Sequence, residues 1–431
     1  MSEKRNFYSR PGRLVQNAIA LMISTGGSAV IGLVFWAVAT HLATPTAVGK
    51  TTAEIAAMLL LANLAQLSFG SIFERFLPVA GSLTRSFVMR AYAMVVSFGF
   101  VLVVGYVSFG FGDSFLPQSI GWKMLFVASV VLWSIFALQD SVLIGLRASK
   151  WVAVENVSFG VAKLVLLPAC IAITASQGIF FAWTMPVIGA IIAVSWYLFT
   201  KRIPEHMSAD ATTERLPSTK ELIVLAGAQY ASVLSSVLMP SLITLIVISR
   251  LGAVANAHYF LPAMIASGLS LFCWSVVRSF LVEASHEPEE LRRHANSAIR
   301  ALVIVVAPSV VFGVIFAPYY LKIFGAAYSS QGTALMRMLL LAVPGSTVMV
   351  FYSAFAWLDK RVWWMTARNL VGSVIQLLVI LLLIDSHGIE SIGIAALVNS
   401  AVTLVFFLPV SIRRYRQTAP VSGPVVDDGG G

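Results

Sequence analysis

The residues of this chain with the types and spacing to do chemistry are a few charged side chains set inside long apolar blocks. A charge at bilayer depth costs several kcal/mol unless it is paired or hydrated, so each needs a reason. Lys163 is the sharpest. It lies about 12 residues into the block that begins at Trp151, ~18 Å along a helix and so near mid-membrane. Asn156, Gly160 and Lys163 share one helical face by their three- and four-residue spacing. Asp140 sits about two turns before the end of the preceding block, and Glu155 about one turn into the block of Lys163. Two readings follow. In one, a hydrated cavity brings Lys163 to a phosphate or to a coupling carboxylate. In the other, Lys163 pairs with Asp140 or Glu54 and only ties helices together. Glu54, Asp140 and Glu155 are the candidates for carrying a proton or cation, although Glu54 also fits a solvated place at the membrane interface. Arg278 and Arg368, near block ends, fit either an anion-binding entrance or arginines that snorkel to the headgroups.

Uncharged polar residues add to this set. Asn17, Ser24 and Ser28 make one face of the first block, and Gln229, Ser232 and Ser236 one face of the seventh. Such faces suit a polar path through the membrane, or close packing of small residues. No enzymatic constellation accompanies them. The sequence has no P-loop and no His-Glu-x-x-His or paired-cysteine motif. Cys170 and Cys273 lie in apolar blocks, and the six histidines are scattered. The expectation is a non-enzyme with no cofactor and no metal.

The elements that must position these residues are membrane helices. Of 431 residues, 58% are hydrophobic and only 11% charged, against about 25% charged in a soluble domain. Twelve apolar blocks are long enough to span a bilayer, over 17–42, 50–73, 87–110, 121–147, 151–175, 178–200, 221–249, 255–281, 299–321, 333–357, 362–385 and 389–411. Of the 29 Lys and Arg residues, Lys50, Lys123, Arg250 and Lys322 fall on one side of the membrane and Lys163 and Arg337 within spans. All the rest fall on the other side. That alternation puts both termini in the cytoplasm. It also gives the net charge of +10 a role in orientation rather than in nucleic-acid binding. The expected domains are a six-helix lobe over 1–200, a cytoplasmic loop over 201–220, a second six-helix lobe over 221–412 and a disordered tail over 413–431.

The two halves repeat. Asn-Val-Ser-Phe-Gly-Val-Ala-Lys-Leu from Asn156, then Ser-Gln-Gly-Ile at Ser176, then a helix and Lys201-Arg202, compare with Asn-Leu-Val-Gly-Ser-Val-Ile-Gln-Leu from Asn369, Ser-His-Gly-Ile at Ser386, a helix and Arg413-Arg414. Six spans per copy is an even number, so the repeat is parallel, with its axis along the membrane normal.

Several stretches carry a resemblance that covers about 13–412. They are Leu-Ser-Phe-Gly-Ser-Ile-Phe-Glu-Arg-Phe-Leu-Pro around Gly70 and Arg75, and Ile-Gly-Leu-Arg around Gly145 and Arg147. Further on come Arg-Leu-Gly-Ala-Val-Ala-Asn from Arg250, Phe-Gly-Ala-Ala-Tyr at Phe324, Gly325 and Tyr328 leading to Arg337, and His-Gly-Ile-Glu-Ser-Ile-Gly-Ile-Ala-Ala from His387. In these the chain resembles the polysaccharide transporter, or O-antigen flippase-like, branch of the multidrug/oligosaccharidyl-lipid/polysaccharide exporter superfamily. The resemblance implies an all-α integral membrane protein of twelve helices in two pseudo-symmetric six-helix lobes around a central cavity. It implies residence in a bacterial plasma membrane and export of a polyprenyl-pyrophosphate-linked oligosaccharide for cell-surface polysaccharide synthesis. The partners it implies are that lipid-linked sugar, membrane lipids and a polysaccharide polymerase or ligase, without nucleic acid. A multidrug or organic-cation antiporter of the same superfamily and a non-transporting assembly scaffold are the alternatives.

Overall fold

In lipid every backbone N–H and C=O must find a partner within the protein, which leaves a long apolar segment little choice but helix. The computed structural model describes residues 11–174, 177–209, 219–286, 290–359 and 362–417. Side chains are described from residue 27 on, except at 209, 219–237, 282, 285–286 and 362–366. Among the described residues the long elements are all α-helices: α1 (Pro11–Leu42), α2 (Pro45–Ala65), α4 (Thr84–Ser108), α5 (Ile120–Gly145), α6 (Ser149–Thr174), α7 (Gly178–Tyr197), α9 (Thr219–His286), α10 (Leu291–Lys322), α11 (Ala326–Leu358), α12 (Val362–His387) and α13 (Glu390–Gln417). Their outward faces are apolar. Ile173 is 82% and Leu382 79% exposed, which only a hydrocarbon surrounding makes favourable.

The count of twelve spans holds through one detail. α9 is two spans joined at a single non-helical residue, Gly252, with φ 85 and ψ 178. An L side chain rarely adopts that φ, so glycine supplies the turn. Pro240 and Pro262, the residues with the sequence signature of a bend, both lie inside the continuous helical stretch instead.

Two short helices depart from the expected pattern: one takes the end of the block 50–73, expected as a single span, and the other lies in the expected loop 201–220. α3 (Phe69–Phe76) follows a break at Leu67 and Ser68, both at positive φ. α8 (Ile203–Ala209) continues from α7 through a wide turn over Leu198–Arg202. Arg202 binds Glu205 at 2.9 Å and the carbonyl of Leu146 at 2.9 Å, and a ring nitrogen of His206 lies 3.1 Å from the carbonyl of Leu77. Ile203 and Leu198 are fully buried against a core of Phe73, Leu77, Leu138 and Leu143.

By its contacts the chain gathers into two compact units, Met1–Phe260 and Leu261–Gly431. The first unit therefore takes in the first span of the second repeat and the start of the next. In the second unit, Cys273, Val277, Phe280, Leu302, Val306, Phe351 and Phe355 form the core. α11 and α13 approach closely at Gly345, where a Cβ would fall 2.2 Å from the Ser400 hydroxyl.

Candidate functional site

In the first unit, Lys163 projects from α6 into a box of aromatic rings. Its ammonium lies 3.6 Å from the centre of the Trp183 ring, 5.0 Å from Phe159 and 5.1 Å from Phe35. Trp133 stacks on Trp183 at 6.2 Å, and Trp36 joins Phe35 and Phe260 at 5.3 and 4.7 Å. α1, α5, α6 and α7 each supply a wall. Gly160 lets α1 approach, with its missing Cβ 3.2 Å from Ile31. Ring faces carry negative potential, so they hold a desolvated cation by about 2 kcal/mol or more. Lys163 is 6% exposed, and among the described residues no carboxylate lies within salt-bridge distance of it. The pairing of Lys163 with Asp140 or Glu54 is not formed.

The acids lie apart from the lysine. Asp140 on α5 is half-buried and accepts from the Asn156 amide at 3.2 and 3.3 Å, while that amide also donates to the Val152 carbonyl at 3.0 Å. The shared face of Asn156 and Lys163 thus divides its work: Asn156 holds an acid and Lys163 meets rings. Glu155, next to Asn156, is buried with neither carboxylate oxygen hydrogen-bonded. The Tyr92 hydroxyl of α4 is within electrostatic reach of Glu155 and also buried without a partner. Glu54 on α2 is 2% exposed, with one oxygen buried and unpartnered, so the solvated interfacial place is not the one it takes. Buried carboxylates left this way bind a proton or a cation readily, because the bare charge is costly.

A third polar group ties α2 to α9. The amide of Asn256 donates to the Gly49 carbonyl at 2.8 Å and to the Thr52 hydroxyl at 3.0 Å. A Cβ on Gly49 would sit 1.7 Å from the Ala253 carbonyl, so only glycine permits this approach. Glu54 and Thr51 lie on the opposite face of α2 by helical spacing.

In the second unit, Arg368 of α12 is half-buried. It donates to the side chain of Asn399 at 3.1 Å and to that of Thr403, and lies 5.4 Å from the Phe407 ring, all on α13. Arg278 is exposed. Arg337 donates to the Val314 carbonyl at 3.0 Å, as an anchor between α11 and α10 would. The backbone of Asn17, Ser24 and Gln229 is helical, and their side chains lie outside the described residues. The structure thus gathers Asp140, Glu155 and Asn156, and keeps Lys163 in a separate box.

Sequence reasoning missed the ring box, the Asn256 contact and the Asn399–Thr403 pair. The signal for the first was present in Trp133 and Trp183, inside spans rather than at interfaces where tryptophan is common. Asn256, an amide inside an apolar run, was legible in the same way.

Compared by sequence, no family model and no curated protein matches the chain. Compared by shape, solved transporters match over nearly all of it. The inward-facing conformation of a multidrug resistance MATE family transporter of the MOP superfamily superposes with TM-score 0.60 at 14% identity, covering 92% of this chain and 100% of that one. The outward-facing conformation of such a transporter gives 0.61 at 15%, covering 94% and 95%. A MOP superfamily transporter from Pyrococcus furiosus, described as having a binding pocket of reversed polarity, gives 0.61 at 14%, covering 94% and 95%. This is the MATE transporter fold. The all-α class with six spans in each half of the chain, expected from the sequence, is the one observed.

Proposed function

We propose that the chain is a transporter of a bacterial plasma membrane that moves a polyprenyl-pyrophosphate-linked oligosaccharide from the inner to the outer leaflet for cell-surface polysaccharide synthesis. Both termini lie in the cytoplasm on this reading, and a polymerase or ligase takes the cargo on the outer side. The MATE fold supports transport as the general activity. One observation supports the anionic cargo: Lys163 is a membrane-embedded cation that no carboxylate among the described residues neutralises and that aromatic rings hold in reserve. Rings bind an ammonium less strongly than a pyrophosphate does, since a charge-assisted hydrogen bond is the stronger contact. A pyrophosphate that reaches Lys163 therefore draws it out of its box, and Arg278, exposed in the second unit, is the further cationic candidate, whereas Arg368 is already engaged by Asn399 and Thr403. A ligand shifts a conformational equilibrium only by its differential affinity, and Lys163 supplies the difference between the two states.

A deletion strain tests this. It should accumulate the lipid-linked oligosaccharide on the inner leaflet, and the wild-type gene but not a Lys163→Met/Arg278→Gln double variant, at equal expression, should restore export. Full export by the double variant would refute the reading.

A second reading, an organic-cation antiporter, draws on Glu54 and Glu155, whose buried, unpartnered oxygens suit a cation better than an anion. Vesicle assays with a fluorescent organic cation separate the two, since only the antiporter extrudes it. Burial of Lys163 is what a non-transporting scaffold requires too, but the exposure of Arg278 is not.

A further inference from the structure

The cytoplasmic-type end of α13 carries a groove of about 570 Å³ on the surface of the second unit. Leu404, Leu408, Pro409 and Ile412 line its apolar part, and Arg413 and Arg416 its end. From Leu404 to Arg416 the helix rises ~18 Å, so the groove runs from hydrocarbon depth to the headgroup level. Pro409, inside the helix, has no N–H to offer the preceding turn.

The arginines differ in their engagement. Arg414 closes on Asp359 of α11 with two bonds, at 2.9 and 2.5 Å. Arg413 and Arg416 are exposed, and among the described residues neither meets a carboxylate. Leu408 and Ile412, beside them, are also exposed. A positive end and an apolar channel about as long as one leaflet together match the shape and charge of one class of molecule. We infer that this groove is a binding site for a single anionic phospholipid, with its phosphate between Arg413 and Arg416 and an acyl chain along Leu404, Leu408 and Ile412. The site is separate from Lys163 and does not depend on which cargo the protein carries.

The phosphate bridges two guanidinium groups, whose planar N–H forks suit phosphate oxygens. The acyl chain covers leucine and isoleucine that neighbouring helices leave open. Ordinary membrane contacts of arginine are transient, whereas a groove with both features retains its lipid.

Native mass spectrometry of the protein released from nanodiscs tests the site, with phosphatidylglycerol mixed into phosphatidylcholine as the probe. The wild type should retain one phosphatidylglycerol in preference to phosphatidylcholine. Arg413→Gln/Arg416→Gln should retain it about 30-fold less, from about 1 kcal/mol per arginine at a membrane surface. Leu408→Ser should weaken retention of long-chain phosphatidylglycerol more than of a short-chain form, a difference that misfolding would not produce. Equal retention by the double variant would overturn the inference. So would displacement of the lipid by inorganic phosphate alone, which would make this a free-anion site. If lipid bound only after removal of residues 418–431, the occupant would be the chain's own tail, with Asp427 and Asp428, and the inference would fall.

Discussion

α6 and α12 are copies of one helix in the repeat, and they treat buried charge in opposite ways. With Asn156 aligned to Asn369, Glu155 falls opposite Arg368 and Lys163 opposite Gln376. In α12 the charge is hydrogen-bonded to the next helix, through Asn399 and Thr403. In α6 the acid is buried with no hydrogen bond, and among the described residues the lysine meets rings and no carboxylate. Both cations lie over an aromatic ring of the following helix, Trp183 or Phe407. The repeat has kept the scaffold and reversed the chemistry. The second copy is built like a strut, and the first holds charges that meet no opposite charge among the described residues, which is how a site that awaits a ligand looks.

Substitution should separate the strut from the site. Arg368→Met removes the donor to the Asn399 and Thr403 side chains, of which Thr403 keeps its bond to the Asn399 carbonyl, and should cost about 3 kcal/mol of stability, from two lost bonds to a charged group. Thermal unfolding in nanodiscs measures it, and an unchanged midpoint would remove the strut. Asn256→Ala, which breaks the α2–α9 contact, should cost about 2 kcal/mol for its two neutral bonds and sets the scale for an uncharged tie. Gly49→Val at the same contact should cost more, about 3 kcal/mol or above, because the Ala253 backbone that its Cβ would meet cannot swing aside. Lys163→Met should go the other way and gain about 1 kcal/mol, because an apolar side chain of similar length fits the ring box without a desolvated charge. Its export should nevertheless fall at least tenfold. A Lys163→Met protein that is less stable and fully active would make Lys163 a strut like Arg368. Glu155→Met should show the smallest change, a gain of under about 1 kcal/mol, since Tyr92 remains unpartnered beside it.

Much of the fold was legible because membrane physics leaves few options. Twelve apolar blocks, a charge alternation and a repeated Asn-led segment specify twelve helices in two sets of six. What escaped were details that depend on contacts. Gly252 rather than Pro240 or Pro262 breaks α9, since lipid-embedded helices absorb a proline when neighbours satisfy the freed carbonyl. α3 was hidden in the end of the apolar block 50–73, where composition gives no sign of the break at Leu67 and Ser68, and α8 in a polar stretch that suits a connection. At the site, charge was visible and partnership was not. Lys163 stood out by depth alone, but one helix's periodicity cannot say that Trp183, twenty residues on in the next helix, would take its charge in place of Asp140. Glu54 was left open between a buried and a solvated place for the same reason: distance from a block end says how deep a residue lies along the membrane, and not which side of the helix its neighbours cover.

The most direct test is reconstitution of the purified protein in vesicles loaded on one leaflet with a polyprenyl-pyrophosphate-linked oligosaccharide, with leaflet exposure read by an impermeant glycosidase. The account predicts that wild-type protein makes the sugar accessible on the opposite leaflet and that Lys163→Met, folded and at least as stable, does so at least tenfold more slowly. Equal rates for the two proteins, or vesicles that extrude an organic cation and leave the sugar where it was, would contradict it.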